Sequence, residues 1–304
     1  YSRVVTGPPH TAYLKISEGC DNRCAYCTIP SIRGPHRSLP PDDIARDAEE
    51  LVSLGARELV LIGQDTTRYG QDIGKITLAH LLRRLSGIGG VAWLRLLYTH
   101  PGHITGELID TISDLPAVIP YLDMPIQHIA DDVLQRMGRG TTSRRIRSLV
   151  GAIRNRIEGV TLRTLLIVGF PGETGCDFSE LVDFVKEARF ERLGVFPYSP
   201  EEGTAAAAMD DQVPPEVIAE RCETIMELQA DIAADIHRSL IGKEFDMIVD
   251  ETDHEAGTVV GRSYMDAPEI DGTITATGSN EGKGAFCRVR ITGADTYDLT
   301  GEVV

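Results

Sequence analysis

Six short β-branched or apolar runs recur along most of the chain, each followed by a stretch with helical periodicity. Candidate strands lie at 11–17, 58–64, 93–100, 121–128, 162–170 and 193–199. Candidate helices lie at 41–54, 78–85, 107–115, 143–157, 178–188 and 214–240. Strands separated by helices imply parallel pairing through right-handed crossovers. Six such units predict an α/β domain, either an open doubly wound sheet or a curved partial (β/α)6 barrel. Asp42 and Asp43 open the first helix, where the helix dipole favours negative charge. Ile146, Leu149, Val150, Ile153 and Ile157 share one stripe of 143–157, and its arginines (Arg144, Arg145, Arg147, Arg154, Arg156) read as the solvated face.

The alternation stops near Ile241. Five short strand-like runs separated by Gly and Asp turns follow, the pattern of a small all-β barrel. The expected organisation is a linker over 1–10, an α/β domain over 11–240 and a β-barrel domain over 241–304. The opening YSRVVTGPPH lacks an initiator Met, so the chain is expected to be a fragment of a longer protein.

Both α/β architectures gather ligands at the carboxyl ends of their strands. Gln64 and Asp65, Tyr98 to His100, Gln127 and His128, and the 169–173 turn all fall at such ends. The loop after the first strand carries CDNRCAYC, with thiols at Cys20, Cys24 and Cys27. Cys176, Cys222 and Cys287 are dispersed and are expected to be ordinary packed cysteines. The clustered thiols point to a metal or redox site in a reducing compartment rather than to a disulfide scaffold. The chain is 42% hydrophobic and 25% charged, with no apolar run near membrane-span length, and it is expected to be cytoplasmic. A net charge of −16 works against nucleic acid at long range and favours basic partners.

Three cysteines leave a metal site one ligand short. Zinc would need a fourth protein ligand, for which His36 is available. A four-iron cluster on three cysteines would keep one iron open for a substrate or cofactor.

The spacing Cys-x-x-x-Cys-x-x-Cys after the first strand resembles the radical S-adenosylmethionine (SAM) superfamily. The text after it, CAYCTIPSIRGPHRSLPPDDI, is similar to the methylthiotransferases, with Pro30, Arg33, Gly34, Arg37 and Ser38 at matching places. LIGQDTTRYG, PYLDMPIQH, MGRGTT, LRTLLIVGFPGET, GVFPYSPEEGT and VGRSYMDAPEIDG resemble the RimO branch of that family. The resemblance covers essentially the whole chain. It implies a partial (β/α)6 radical SAM barrel followed by a TRAM β-barrel. It implies a [4Fe-4S] cluster on Cys20, Cys24 and Cys27, with SAM on the open iron yielding a 5′-deoxyadenosyl radical. The implied reaction places a methylthio group on an aspartate of small-subunit ribosomal protein twelve, with a flavodoxin or ferredoxin as electron donor. Two other readings stand beside it: a transfer RNA methylthiotransferase of the MiaB type, and a non-catalytic metal-stabilised binding module.

By the same resemblance, Tyr26 lies beside the adenine. Gln64 and Asp65 face the methionine amino group, Arg163 meets the methionine carboxylate, and Gly169, Phe170 and Gly172 form an adenine-side turn. His100 and His128 receive no role. Complete family members carry a further cysteine-bearing domain ahead of the barrel, so this chain is expected to cleave SAM without completing sulfur insertion. From residue 241 onward, five Lys or Arg stand against thirteen Asp or Glu. A module that acidic suits a basic protein substrate better than RNA.

Overall fold

The computed structural model describes residues 7–74, 76–278 and 281–304, so the first six residues of the expected linker lie outside the described residues. The elements run β1 (Thr11–Lys15), β2 (Ser17–Glu18), α1 (Ile29–Arg33), β3 (Arg37–Ser38), α2 (Pro41–Ser53), β4 (Glu58–Ile62), α3 (Leu78–Ser86), β5 (Trp93–Leu96), α4 (Gly106–Asp114), β6 (Val118–Asp123), α5 (Asp131–Arg136), α6 (Ser143–Arg156), β7 (Thr161–Val168), α7 (Gly175–Ala188), β8 (Arg192–Pro197) and α8 (Pro215–Arg238). The remaining strands are β9 (Glu244–Asp253), β10 (Thr258–Arg262), β11 (Ile274–Thr277), β12 (Phe286–Ala294) and β13 (Leu299–Val303).

β1, β4, β5, β6, β7 and β8 pair in that order, every neighbour parallel, into one six-stranded sheet. Strand order follows chain order, so the sheet curls in one direction, as in a partial barrel and unlike a doubly wound sheet. The helices cover one face. Leu14, Leu59, Leu61, Leu94, Leu162 and Leu166 point to them and join Leu81, Ile109, Ile153 and Phe184 in the main core. Thr77, Thr105 and Thr142 cap α3, α4 and α6 with their hydroxyls, and Thr174 and Asp177 form a capping box on α7. The arginines of α6 are less free than a solvated face implies: Arg147 pairs with Glu187, Arg154 with Glu191 and Arg156 with Asp110.

The last five strands close into a barrel in the order β10-β11-β13-β12-β9 around Met247, Val249, Val259, Ile274, Val289 and Ile291. This barrel reaches under the open face of the sheet with its segment from Arg262 to Asp271. All six parallel strands touch that segment with a polar side chain. Arg262 donates to Thr11 of β1 at 3.2 Å and pairs with Glu58 of β4 at 2.8 Å. Arg95 of β5 donates to the Tyr264 carbonyl at 2.9 Å. The Tyr121 hydroxyl of β6 donates to Asp271 at 2.6 Å, and Arg163 of β7 lies 3.7 Å from the same carboxylate. Arg192 of β8 pairs with Asp266. Val60, Trp93, Leu97, Ile119 and Tyr121 pack on Ile248 and Ala267 around these polar contacts. His10, inside the expected linker, is buried and bonds Asp250 of the barrel at 2.8 Å.

Glu58 is fully buried between Arg95 at 2.7 Å and Arg262 at 2.8 Å. Burial alone would raise its carboxyl, but the two guanidiniums outweigh this and hold it below the usual range. Removing one partner from such a buried set leaves uncompensated charge. Arg262→Met is expected to destabilise the chain by about 3 kcal/mol in chemical denaturation, whereas Arg238→Met, at an exposed pair on α8, should change stability by less than about 1 kcal/mol.

Candidate active site

Backbone contacts help to close the loop between β2 and α1. Cys20 N–H donates to the Gly34 carbonyl at 3.1 Å, and Cys27 N–H donates to the Cys24 carbonyl at 3.1 Å. Gly19 has φ +77°, and a Cβ there would lie 2.1 Å from the Pro35 carbonyl oxygen, so only glycine fits immediately before the first cysteine. Ala25 N–H donates to the Met137 carbonyl, fastening the loop to the turn after α5, and the Ala25 carbonyl accepts from Ala206 N–H, both at 2.9 Å.

The loop brings Cys20, Cys24 and Cys27 to one cavity of about 220 Å³. Its wall is completed by Asn22, Tyr26, Ile29, Gln64, Tyr98, Thr99, His100, Pro125, Gln127, Arg139 and Leu165, drawn largely from the carboxyl ends of the parallel strands. All three cysteines are free thiols, and burial raises the Cys20 and Cys27 thiols above the ordinary value. His36, the alternative fourth ligand, stands outside this wall. Its ring bonds Ser38 at 3.2 Å and lies 3.8 Å from Asp72.

Tyr26 and Gln64 line the cavity. The Tyr26 ring meets Phe170 edge-on at 6.4 Å, and Phe170 meets Tyr198 at 5.4 Å. Burial raises the Tyr26 hydroxyl well above its usual range. Gln64 Oε1 is buried with no hydrogen-bond partner among the described residues. Asp65 stands one layer back. Its carboxylate accepts from Asn22 at 2.7 Å, Thr67 at 2.5 Å and His103 at 2.8 Å. Burial would raise its carboxyl, but the bonds from His103, Thr67 and Asn22 hold it down to about 2. Asp65 therefore fixes Asn22, between the first two cysteines.

Four more of the expected residues lie outside the cavity wall. Arg163 faces the concave side but begins β7, below the cavity. Asp123 at 2.7 Å and Asp271 at 3.7 Å take its guanidinium, and Leu165, two residues on, reaches the wall in its place. Phe170 is fully buried and acts as a brace behind Tyr26. Gly169 and Gly172 have φ +76° and +78°, and added Cβ atoms would strike Ile218 and Arg136. They shape the turn that carries Glu173, whose carboxylate accepts from Gly169 N–H at 2.8 Å and pairs with Arg221 at 2.7 Å.

Several wall residues received no role from sequence reasoning. Tyr98 and Gln127 have φ +59° and +72°, a costly conformation for residues with a Cβ. Asp123 holds the Tyr98 N–H at 2.8 Å, and the Gln127 backbone is clamped by Leu165 and Ile167. His100 Nδ1 accepts from Gly102 N–H at 3.1 Å, and its ring stacks on His103 at 4.6 Å. Burial, reinforced by the charge of Arg139, pushes His100 down to about 3, so it stands neutral with its proton on Nε2. Arg139, in the MGRGTT phrase, places Nη1 3.5 Å from the Cys24 sulfur.

Comparison with known proteins agrees with this layout. Residues 14–185 match the Radical SAM superfamily and residues 241–304 match the TRAM domain. The ribosomal protein uS12 methylthiotransferase RimO of Desulforudis audaxviator is 48% identical over 304 residues, covering 99% of this chain and 67% of that protein. RimO of Geobacter sulfurreducens is 49% identical over 305 residues, covering 100% of this chain and 68% of that protein. The chain belongs to the RimO family of the radical SAM superfamily. More distant radical SAM structures share the fold of this RimO chain. Coproporphyrinogen III oxidase (HemN) from Escherichia coli matches with TM-score 0.58 at 18% identity, over 74% of this chain and 53% of that one. The methyltransferase TsrM from Kitasatospora setae matches with TM-score 0.55 at 17% identity, over 76% of this chain and 54% of that one.

His128, fully buried behind the turn that holds Glu173, accepts from Ala130 N–H at Nδ1, and burial pushes it down to about 4. It is neutral when folded and gains a proton when unfolded at acid pH. Its contribution is therefore complete above the free value of about 6.5 and is lost as pH falls toward 4. Across that window His128→Gln is expected to remove about 3 kcal/mol of the acid destabilisation, read as a flatter dependence of stability on pH in denaturant titrations.

Proposed function

We propose that this chain performs the radical chemistry of a RimO-type methylthiotransferase, directed at an aspartate of ribosomal protein uS12. One observation carries the reading. Three free cysteine thiols line one cavity at the carboxyl edge of the parallel sheet, and His36, the alternative fourth ligand, stands outside it. The donor set suits a [4Fe-4S] cluster, and the buried acceptor of Gln64 suits the ammonium group of SAM. When bound, the cluster and SAM would supply the electron and the 5′-deoxyadenosyl group that turn an unactivated C–H bond into a reaction site.

The residues of the chain position and shield. Cys20, Cys24 and Cys27 would hold the cluster. Gln64 Oε1 would accept from the ammonium, and Asp65 keeps Asn22 in place in the wall. Tyr26, braced by Phe170 and Tyr198, offers a flat wall for the adenine. His100 is neutral and supplies an N–H to the cavity without acting as a base, which hydrogen-atom abstraction does not need. Tyr98 is 45% exposed at the wall and, with Gln127, fits the entering substrate segment.

The TRAM barrel suits a basic protein partner. Of its thirteen acids, Asp250, Asp266 and Asp271 turn inward to Arg262, Arg192 and Arg163. The other ten outnumber Lys243, Lys283, Arg288 and Arg290, so an acidic outer surface remains for a ribosomal protein. A low-potential flavodoxin or ferredoxin is the proposed electron donor. No helix among the described residues is long and apolar enough to cross a membrane, and we place the reaction in the cytoplasm beside the ribosome.

The test reads hydrogen abstraction, the step before sulfur insertion. The chain is reconstituted anaerobically with iron and sulfide, reduced, and given SAM with a uS12 peptide deuterated at the target aspartate. Deuterium is expected in 5′-deoxyadenosine, with at least a hundredfold loss of product in Cys24→Ala. Label taken instead from a deuterated transfer RNA would reassign the substrate. An iron-loaded chain that yields no 5′-deoxyadenosine would sink the reading.

A further inference from the structure

We propose that Arg139 is the fixed counter-charge of the cysteine-bound cluster, a positioning residue that holds the Cys24 sulfur and raises the cluster's reduction potential. The proposal rests on the cluster reading above and adds a role for a residue outside the ligand set. Arg139 is only 6% exposed. Its Nη2 donates to the Pro125 carbonyl at 2.6 Å. Its Nη1 lies 3.5 Å from Cys24 Sγ and 3.5 Å from the Tyr26 hydroxyl. Among the described residues no carboxylate pairs with it, and its Nε has no partner.

This is an unusual position for a guanidinium. Arginine keeps its proton in any protein environment, so a buried one must find an anion. Other buried arginines here do so: Arg95 and Arg262 share Glu58, Arg192 takes Asp266 and Arg221 takes Glu173. Arg139 alone in this group faces cysteine sulfur. Three thiolates on a four-iron core carry net negative charge, and an added electron increases it. A cation at a ligand sulfur stabilises the reduced form over the oxidised one, because both net charge and hydrogen bonds to sulfur set the potential.

Backbone geometry makes the contact durable. Arg139 N–H donates to the Leu134 carbonyl at 3.0 Å, while Ala25 N–H donates to Met137 at 2.9 Å. The cysteine loop and the arginine turn are thus joined beside the contact, which holds Arg139 at Cys24.

The experiment uses the full chain, reconstituted anaerobically, as wild type, Arg139→Gln and Arg139→Lys. Iron and sulfide per chain report loading, a redox titration read by electron paramagnetic resonance reports the midpoint, and equilibrium binding reports SAM affinity. All three proteins are expected to load the cluster. At the wild-type midpoint the reduced-to-oxidised ratio should fall at least tenfold in Arg139→Gln, the equivalent of about 59 mV for one electron. Arg139→Lys, which keeps the charge, should lie between, and SAM affinity should stay within about twofold. An unchanged midpoint in a loaded Arg139→Gln overturns the proposal, and weakened SAM binding in that protein would assign the arginine to the cofactor's carboxylate. Folded variants that both fail to load would overturn it too, by reducing Arg139 to a brace for the loop. A wild-type chain that binds no iron would instead refute the cluster reading.

Discussion

The concave face of a six-stranded parallel sheet must be covered, and here two different partners divide the task. The lower half meets the barrel segment from Arg262 to Asp271 through one polar contact per strand. The upper half, at the carboxyl ends, is left as the cysteine-lined cavity. The fully buried Glu58, held by an arginine from the sheet and one from the barrel, is the firmest of these joints. Without the barrel, Glu58 would lose Arg262, Tyr121 would lose Asp271 and Arg192 would lose Asp266, while Arg95 and Arg163 would keep Glu58 and Asp123.

Above that joint the site is built in layers. Backbone contacts help to close the cysteine loop. Behind the wall, Asp65 anchors Asn22, Asp123 holds the strained Tyr98, and Phe170 braces Tyr26. Strain at Tyr98 and Gln127 persists because strand neighbours over-determine their backbones. The wall residues Asn22, Tyr98 and Tyr26 thus each rest on a residue outside the wall, which is how a cavity holds its geometry.

The alternation of runs from residue 11 to residue 240 made the six parallel strands and the helices between most of them legible, because burial on both faces imposes a continuous apolar strand and a striped helix. The change at Ile241 likewise announced the barrel. What escaped was set by height and distance. The short α5 lies between β6, the fourth strand of the parallel sheet, and two glycines, too brief to show a period. Arg163 faces the concave side near the start of β7, a depth that sequence does not show, since periodicity fixes the side a residue faces and not its depth along the strand. Arg139 sits in a turn phrase with no local mark of burial; only the fold brings it 115 residues back to Cys24. His100 was set aside as a lone histidine, although the same strand end carries it to the wall. The first six residues of the expected linker lie outside the described residues, whereas His10, within the linker, is docked on the barrel.

The inward segment of the barrel has a consequence for how such a protein can change over time. Substitutions between Arg262 and Asp271 would be felt in every strand that supports the site, so that stretch is bound to the radical chemistry. Of the outer strands, β12 still packs Phe286 on Trp93 of β5 at 4.9 Å, but β11 and β13 make none of these contacts, and together the three expose much of the barrel's charge. Lineages could therefore redraw the outer surface to suit a new partner, acidic for a basic protein or basic for a nucleic acid, while the inner segment keeps the same machinery running.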